Sequence, residues 1–345
     1  MPTHIARWDL DKTYLRTDFD TLRELVKTAL ERPDQKRTNP GASTLMREMV
    51  RAGVRVHILS GSPEQMRRSL EDKLRLDGIA WDSFTLKPNL QNLLRFRFRA
   101  VRDQLGYKLP ALLRARERIA EGGDSPGAST ETLFGDDAEA DAYVYSLYAD
   151  FLAGLVGEDV LLRILERGRV YEDVIAETMA AARAIQRADV VQRILIHLER
   201  QTPPDDFRAY GSRVVPFYNY LQAAFVVHED GRVGADGVLR VAVELVTEHR
   251  FDGDALARSY LDLARRGHLR GARIEALGAS LDAWLTQGHV PASDELRTMV
   301  ERLPAIAQMA RDAAAGREDD RRPLPDYVRL VDVHNARQRF RHGRR

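Results

Sequence analysis

Hydrophobic and polar positions in the first part of the chain alternate between short apolar runs and amphipathic stretches. Ile5–Trp8 is a short strand candidate, and VRVHIL at Val54–Leu59, rich in β-branched residues, is the clearest strand. Phe84–Leu86 and Thr132–Phe134 read as a third and a fourth strand. Between them, the 3.6-residue spacing of apolar positions predicts helices at Leu22–Leu30, Ala42–Ala52, Pro63–Leu76 and Leu109–Ala120. Gly53 closes the second of these, and Pro63 sits at the start of the third. Strands alternating with helices imply a parallel sheet covered on both faces, an α/β core.

From about Gly157 the pattern changes. Helical periodicity dominates over Glu158–Arg167, Val170–Leu198, Val214–Val227, Val238–Glu248, Ala255–Arg265, Ala272–Leu285 and Ser293–Ala315. No strand is expected there. The pattern therefore predicts an α/β unit over residues 1–157 and a mainly α-helical unit over 158–345. The Gly/Ser/Pro-rich stretch Glu121–Thr130 reads as a loop before the fourth strand, and the basic end RQRFRHGRR as a frayed tail.

Composition narrows the function classes. The 345 residues are 44% apolar and 30% charged, an ordinary globular balance, and the net charge of +1 selects neither nucleic acid nor a membrane as partner. Cysteine is absent, which excludes disulfides, thiolate metal sites and cysteine nucleophiles. The N-terminus MPTHIARWDLDKT lacks a long apolar segment and predicts no signal peptide. No stretch has the uncharged apolar length needed to span a bilayer, so a cytoplasmic location is expected.

Four features then fall in a telling order. Asp9-Leu10-Asp11-Lys12-Thr13 follows the first strand, and Ser60-Gly61-Ser62-Pro63 follows the second. Lys108 stands where a helix is expected to open, and Gly135-Asp136-Asp137, with Asp141 beyond, follows the fourth strand. Ligands of open α/β sheets bind at the C-terminal ends of the strands. Phosphoryl transfer needs a positioned nucleophile and neutralised charge. Asp9 can act as a carboxylate nucleophile, and Asp11, two residues on, as acid and then base. Two carboxylates facing a phosphate require a hard cation such as Mg²⁺, whose shell Asp136 with Asp137 or Asp141 would complete. Ser60 and Lys108 are suited to the phosphoryl oxygens. Lys87, just past the third strand, competes with Lys108 for that role.

The order DLDKT, HILSGS, a helix-opening lysine and GDDAEAD resembles the haloacid dehalogenase superfamily over roughly residues 5–155. The resemblance implies a Rossmann-like fold, Mg²⁺ and Asp9 as nucleophile. It also implies that Asp11 is acid/base and gives its backbone carbonyl to the metal. Thr13, Ser60, Gly61 and Lys108 would hold the phosphate, and Asp9, Asp11, Asp136 and Asp141 would be the metal ligands. SGSP, FTLKP, YKLPALL and GDDAEAD look closest to the phosphatidate phosphatase catalytic domain. Asp137 and Lys12 depart from that subgroup, standing where it often has serine and a second aspartate. The expected substrate is a phosphorylated small molecule, lipid or protein. The alternative is a catalytically degenerate scaffold whose helical half binds a protein partner.

Other segments carry less. Leu93–Arg102 interleaves arginine with phenylalanine, either as an anion-binding patch or as the solvated face of an amphipathic element. No large cap domain fits between Thr13 and Ser60. A small insertion is expected around Asn89–Gln104, and the helical half could roof the site. His57, His197 and His228 show no metal-ligand spacing.

Overall fold

The computed structural model describes residues 3–16, 33–87, 101–121, 127, 129–288, 290–315 and 324–342. The helix expected at Leu22–Leu30 and most of the Leu93–Arg102 and Asn89–Gln104 segments lie outside the described residues, as does most of the loop before the fourth strand.

Six strands form one all-parallel sheet in the order β3-β2-β1-β4-β5-β6. They are β1 (Thr3–Trp8), β2 (Arg55–Pro63), β3 (Ser83–Lys87), β4 (Ser129–Asp136), β5 (Val191–His197) and β6 (Val214–Phe217). The first four stand where the apolar runs predict them. The last two lie where no strand was expected, within the mainly helical stretch 158–345, and the sheet continues past residue 157. Val170–Leu198 is helical only over its first part, and Val214–Val227 begins with a strand. The physical reason is burial on both faces. Ile194, Leu195 and Ile196 are all fully buried, so β5 shows a continuous apolar run rather than alternation, and periodicity does not separate such a run from a buried helix. β6 is an edge strand, which is why it tolerates Pro216.

Side-chain alternation splits the core in two. Ala6, Trp8, Val56, Ile58, Phe134, Leu195, Val215 and Phe217 face one cluster. It is completed by α1 (Ala42–Arg51), α2 (Arg67–Leu76), α7 (Tyr220–Glu229), α8 (Ala235–His249), α9 (Gly253–Arg265), α10 (Ile274–Gln287) and α11 (Ser293–Ala315). Leu59, Leu133, Ile194, Ile196 and Val214 face the other, with α3 (Val101–Glu121), α4 (Asp141–Leu152), α5 (Glu158–Arg167), α6 (Glu172–Ala184) and α12 (Tyr327–His342). Helices α7 to α11 therefore pack with α1 and α2 along one face of the sheet, and α12 lies on the other. The basic end is helical as far as His342, correcting the expectation of a frayed tail, and the buried Tyr327 and Val331 anchor its helix.

Helix α3 starts earlier than expected. The helix expected at Leu109–Ala120 runs instead from Val101 and passes through Pro110. An interior proline costs about 3 kcal/mol. Burial of Leu105, Leu109, Leu112 and Leu113, each contributing roughly 1.5–3 kcal/mol, offsets that. Lys108 consequently lies inside a helix instead of opening one. Among the described residues, no helix is long and apolar enough to cross a membrane.

Candidate active site

Strand order reverses between β1 and β4: β2 and β3 lie to one side of β1, and β4 starts the run on the other. A crevice is expected beyond the carboxyl ends of those two strands. Asp9 immediately follows β1, and Asp136 ends β4.

Alternation directs the side chains. Trp8 stacks on Phe134 in the first cluster with ring centroids 3.8 Å apart. The Asp9 amide continues the ladder, donating to the Phe134 carbonyl at 3.0 Å. Asp9 therefore turns to the opposite face, where α3 carries Lys108. Lys108 Nζ lies 3.5 Å from Asp9 Oδ1 and pairs with Asp141 Oδ1 at the start of α4. One carboxylate oxygen each from Asp9, Asp136 and Asp141 lie within 4.8 Å of one another, and all three residues are buried. Gly135 makes this approach possible. A Cβ there would stand 2.5 Å from Asp141 Oδ2.

The loop after β1 is pinned from three directions. Lys12 takes a left-handed backbone conformation, with φ of 62°. Asn39 Nδ2 donates to the carbonyls of Lys12 (3.2 Å) and Thr13 (2.6 Å). His197 at the end of β5 lies 3.1 Å from the Lys12 carbonyl through Nδ1, and burial holds its pKa below the ordinary value. Since a carbonyl only accepts, Nδ1 carries the proton. Tyr220 at the start of α7 donates its hydroxyl to the Thr13 carbonyl at 2.7 Å. Thr13 Oγ1 lies 3.5 Å from both Asp9 Oδ2 and Asp136 Oδ2.

Asp11 sits differently. Its Oδ2 accepts from Ser60 Oγ at 3.0 Å and from Ser62 Oγ at 2.7 Å, while the Ser62 amide donates to Ser60 Oγ at 3.0 Å. Its carboxylate thus joins the serine loop and is not one of the three clustered acids. Gly61 separates the two serines at the end of β2. Tyr107 on α3 fixes that loop by donating to the Ser60 carbonyl at 2.8 Å.

Asp137 and Asp141 have separate places. Asp137 accepts from the amides of Arg200 (2.8 Å) and Thr202 (2.9 Å), clamping the chain beyond β5. Asp141 belongs to the acidic cluster. Of the two candidate lysines, Lys108 is fully buried against Asp9, while Lys87 stands at the end of β3 with its Nζ 5.8 Å from the Tyr107 ring centroid.

Four side chains were not legible as site components: Glu139, Gln104, Asn39 and Tyr220. Glu139 Oε2 accepts from Lys108 Nζ at 3.0 Å and from Gln104 Nε2 at 2.6 Å. Its position inside GDDAEAD is a signal, since the turn after β4 brings every acidic residue of that segment near the strand end. Asn39 and Tyr220 meet the loop only through the tertiary fold.

Burial lifts the pKa values of Asp9 and Asp136 well above the ordinary carboxylate value, and raises those of Asp11 and Asp141. Lys108 opposes this at Asp9, while neighbouring carboxylates reinforce it. Burial works against the Lys108 charge too, but Asp141, Asp9 and Glu139 hold its pKa well above the usual lysine value. Asp9 Oδ1 is buried and accepts no hydrogen bond. An all-oxygen set of buried carboxylates with too little positive charge is the donor chemistry of a hard divalent cation. Asp9, Asp136 and Asp141 could hold such an ion through their side chains. Compared with family models, curated proteins and solved structures, the chain matches none of them.

Proposed function

We propose that the chain is a Mg²⁺-dependent phosphatase that hydrolyses phosphomonoesters through Asp9. The observation that carries this reading is the Asp9 carboxylate. It is buried at the β1/β4 crevice, has one oxygen that accepts no hydrogen bond, and stands 3.5 Å from the Lys108 ammonium. Its neighbours supply the remaining roles.

An Asp9 carboxylate oxygen attacks phosphorus, the ester P–O bond breaks, and Asp11 gives a proton to the departing alcohol oxygen. Ser60 and Ser62 hold the Asp11 carboxyl through its Oδ2. Water then attacks the aspartyl-phosphate, giving up a proton to Asp11. The acyl phosphate P–O bond breaks, releasing inorganic phosphate and restoring Asp9. Lys108 and the Ser60 hydroxyl bind the phosphoryl oxygens. Thr13, Asn39 and Tyr220 hold the loop that carries both aspartates. When bound, Mg²⁺ supplies the charge that lets a phosphate approach three carboxylates.

The test is hydrolysis of an aryl phosphate with and without Mg²⁺, extended to a panel of phosphorylated metabolites and phospholipids. Asp9→Asn is expected to lower activity by at least ~10³-fold while Tm stays within a few degrees. A protein inactive across the panel, or one whose activity survives Asp9→Asn, would sink the reading. Partner capture without a Mg²⁺-linked thermal shift would instead favour the scaffold alternative.

A further inference from the structure

Resting on that phosphatase reading, we infer that Glu139 is a resident anion on Lys108, which the incoming phosphoryl group must displace.

A lysine ammonium has three N–H donors. The Lys108 ammonium faces three carboxylates: Asp141 by a short contact, Glu139 at 3.0 Å and Asp9 at 3.5 Å. Asp141 and Glu139 each accept a hydrogen bond from it, and Asp9 pairs with it at 3.5 Å without one, so a phosphoryl group that approaches Lys108 beside Asp9 competes with Asp141 or Glu139 for the ammonium. Asp141 is held in place, because its Oδ2 also accepts the Asp136 amide at 3.2 Å and its side chain is 0% exposed. Asp9 follows directly on β1, is 1% exposed, and is the attacking group itself. Glu139 differs on each count. It stands in the turn between β4 and α4, its side chain is 12% exposed, and its second partner is the neutral Gln104 amide. It is the acid that can swing out without disturbing the sheet edge.

Electrostatics points the same way. Asp9, Asp141 and Glu139 surround the Lys108 ammonium, with Asp136 beside them and Lys12 acting on Asp136. A phosphate dianion entering beside a retained Glu139 adds like charge at close range in a site of low effective dielectric. Exchanging Glu139 for the phosphoryl group keeps the anions on Lys108 at three. Gln104 then has a defined part: its amide holds Glu139 on the lysine in the resting state. Glu139 and Gln104 act on Lys108 and are positioning residues; neither needs to touch the reacting atoms.

The test is the affinity of the full-length protein for inorganic phosphate, measured by calorimetry with and without Mg²⁺, alongside KM and kcat for an aryl phosphate. Glu139→Gln keeps the shape and removes the charge, and is expected to tighten phosphate about tenfold, the value of one charge-assisted hydrogen bond no longer competed for. KM is expected to fall with it. Gln104→Leu loosens the latch and is expected to tighten phosphate by a smaller factor, about threefold, while Glu139→Asp stays near the wild type. A purely architectural Glu139 gives the opposite sign, with phosphate weaker or unchanged in Glu139→Gln. That outcome, in a protein that otherwise hydrolyses the aryl phosphate, overturns the inference and leaves the phosphatase reading standing. A wild type that neither binds phosphate nor hydrolyses the ester overturns both.

Discussion

At the scale of single residues, the site depends on side chains whose types are explained only by what they approach. Asp9, Asp11, Thr13, Ser60, Asp136 and Asp141 were legible because strand ends place them at one edge of the sheet. Their pairings were not. Asp11 bonds to two serines more than 45 positions away, and Asp137 turns from its neighbour Asp136 to the amides of Arg200 and Thr202. Gly135 is an example of a residue whose meaning is steric. A Cβ there meets Asp141 Oδ2 at 2.5 Å and Asp141 Cβ at 2.6 Å, well inside van der Waals contact. Asp141 is buried and tied to Lys108, so it has little room to retreat. Gly135→Ala is expected to push Asp141 out of the acidic cluster, lowering Mg²⁺ affinity and phosphatase activity by about tenfold or more, with a stability loss of about 1–3 kcal/mol. Calorimetric Mg²⁺ titration separates the two effects. A Gly135→Ala protein of reduced Tm but wild-type Mg²⁺ affinity would show that the close approach does not set the cluster.

At the scale of elements, amphipathic helices and flanked strands were legible and doubly buried strands were not. α5 and α11 run over the residues their periodicity predicts, because each has one apolar face to display. β5 displays apolar side chains on both faces, so its sequence has no period of two. Charge inside the sheet is a second departure from simple patterning. Arg7 on β1 forms a bidentate pair with Glu131 on β4, at 2.7 and 2.9 Å. Arg116 from α3 and the Tyr148 hydroxyl from α4 complete the set at 3.2 and 3.1 Å. Burial alone would raise the Glu131 pKa, but Arg7 and Arg116 hold it down to about 2. The cluster ties the two strands that flank the crevice to the two helices that carry Lys108 and Asp141. Removing one partner leaves buried arginine charge uncompensated. Glu131→Gln is therefore expected to destabilise the fold by about 3–5 kcal/mol, read from chemical denaturation. A loss below about 1 kcal/mol would mean that the arginines find other partners at no expense to the sheet.

At the scale of the whole molecule, one sheet joins residues expected to fall in separate units, and its reversal point collects the chemistry. The parallel α/β sheet was foreseeable from alternating strands and helices, and its strand order was not. The contribution of the C-terminal half to the loop after β1, through His197 and Tyr220, was not, since it depends on strands with no visible period. Three histidines of the same sheet, His4, His57 and His197, have pKa values lowered by burial, and this sets an acid limit on stability. His4 spans Thr130 Oγ1 at 2.8 Å and Thr132 Oγ1 at 3.0 Å, and burial with help from Arg232 lowers its pKa to about 3. His57 on β2 is lowered to about 4, by burial and then by Arg7. Both start from 6.5 in the unfolded chain. Between 6.5 and those folded values the unfolded chain binds more protons than the folded one, so stability rises with pH there. The stabilisation is complete above 6.5 and is lost progressively as pH falls toward 4 and then 3. The acidic cluster titrates in the opposite sense. Its carboxylates have raised folded pKa values, so their contribution is greatest at low pH and is lost as pH rises. A difference measurement removes that opposing trend. His4→Gln keeps an amide within reach of both threonines but takes up no proton. The Tm of the wild type minus that of His4→Gln is expected to be constant above about pH 6.5 and to fall steadily from there to about pH 4.5. A difference that stays flat across that range would show that His4 accepts its proton in the folded protein as readily as in the unfolded chain. The Thr130 and Thr132 hydroxyls on β4 would then exert no hold on its neutral form.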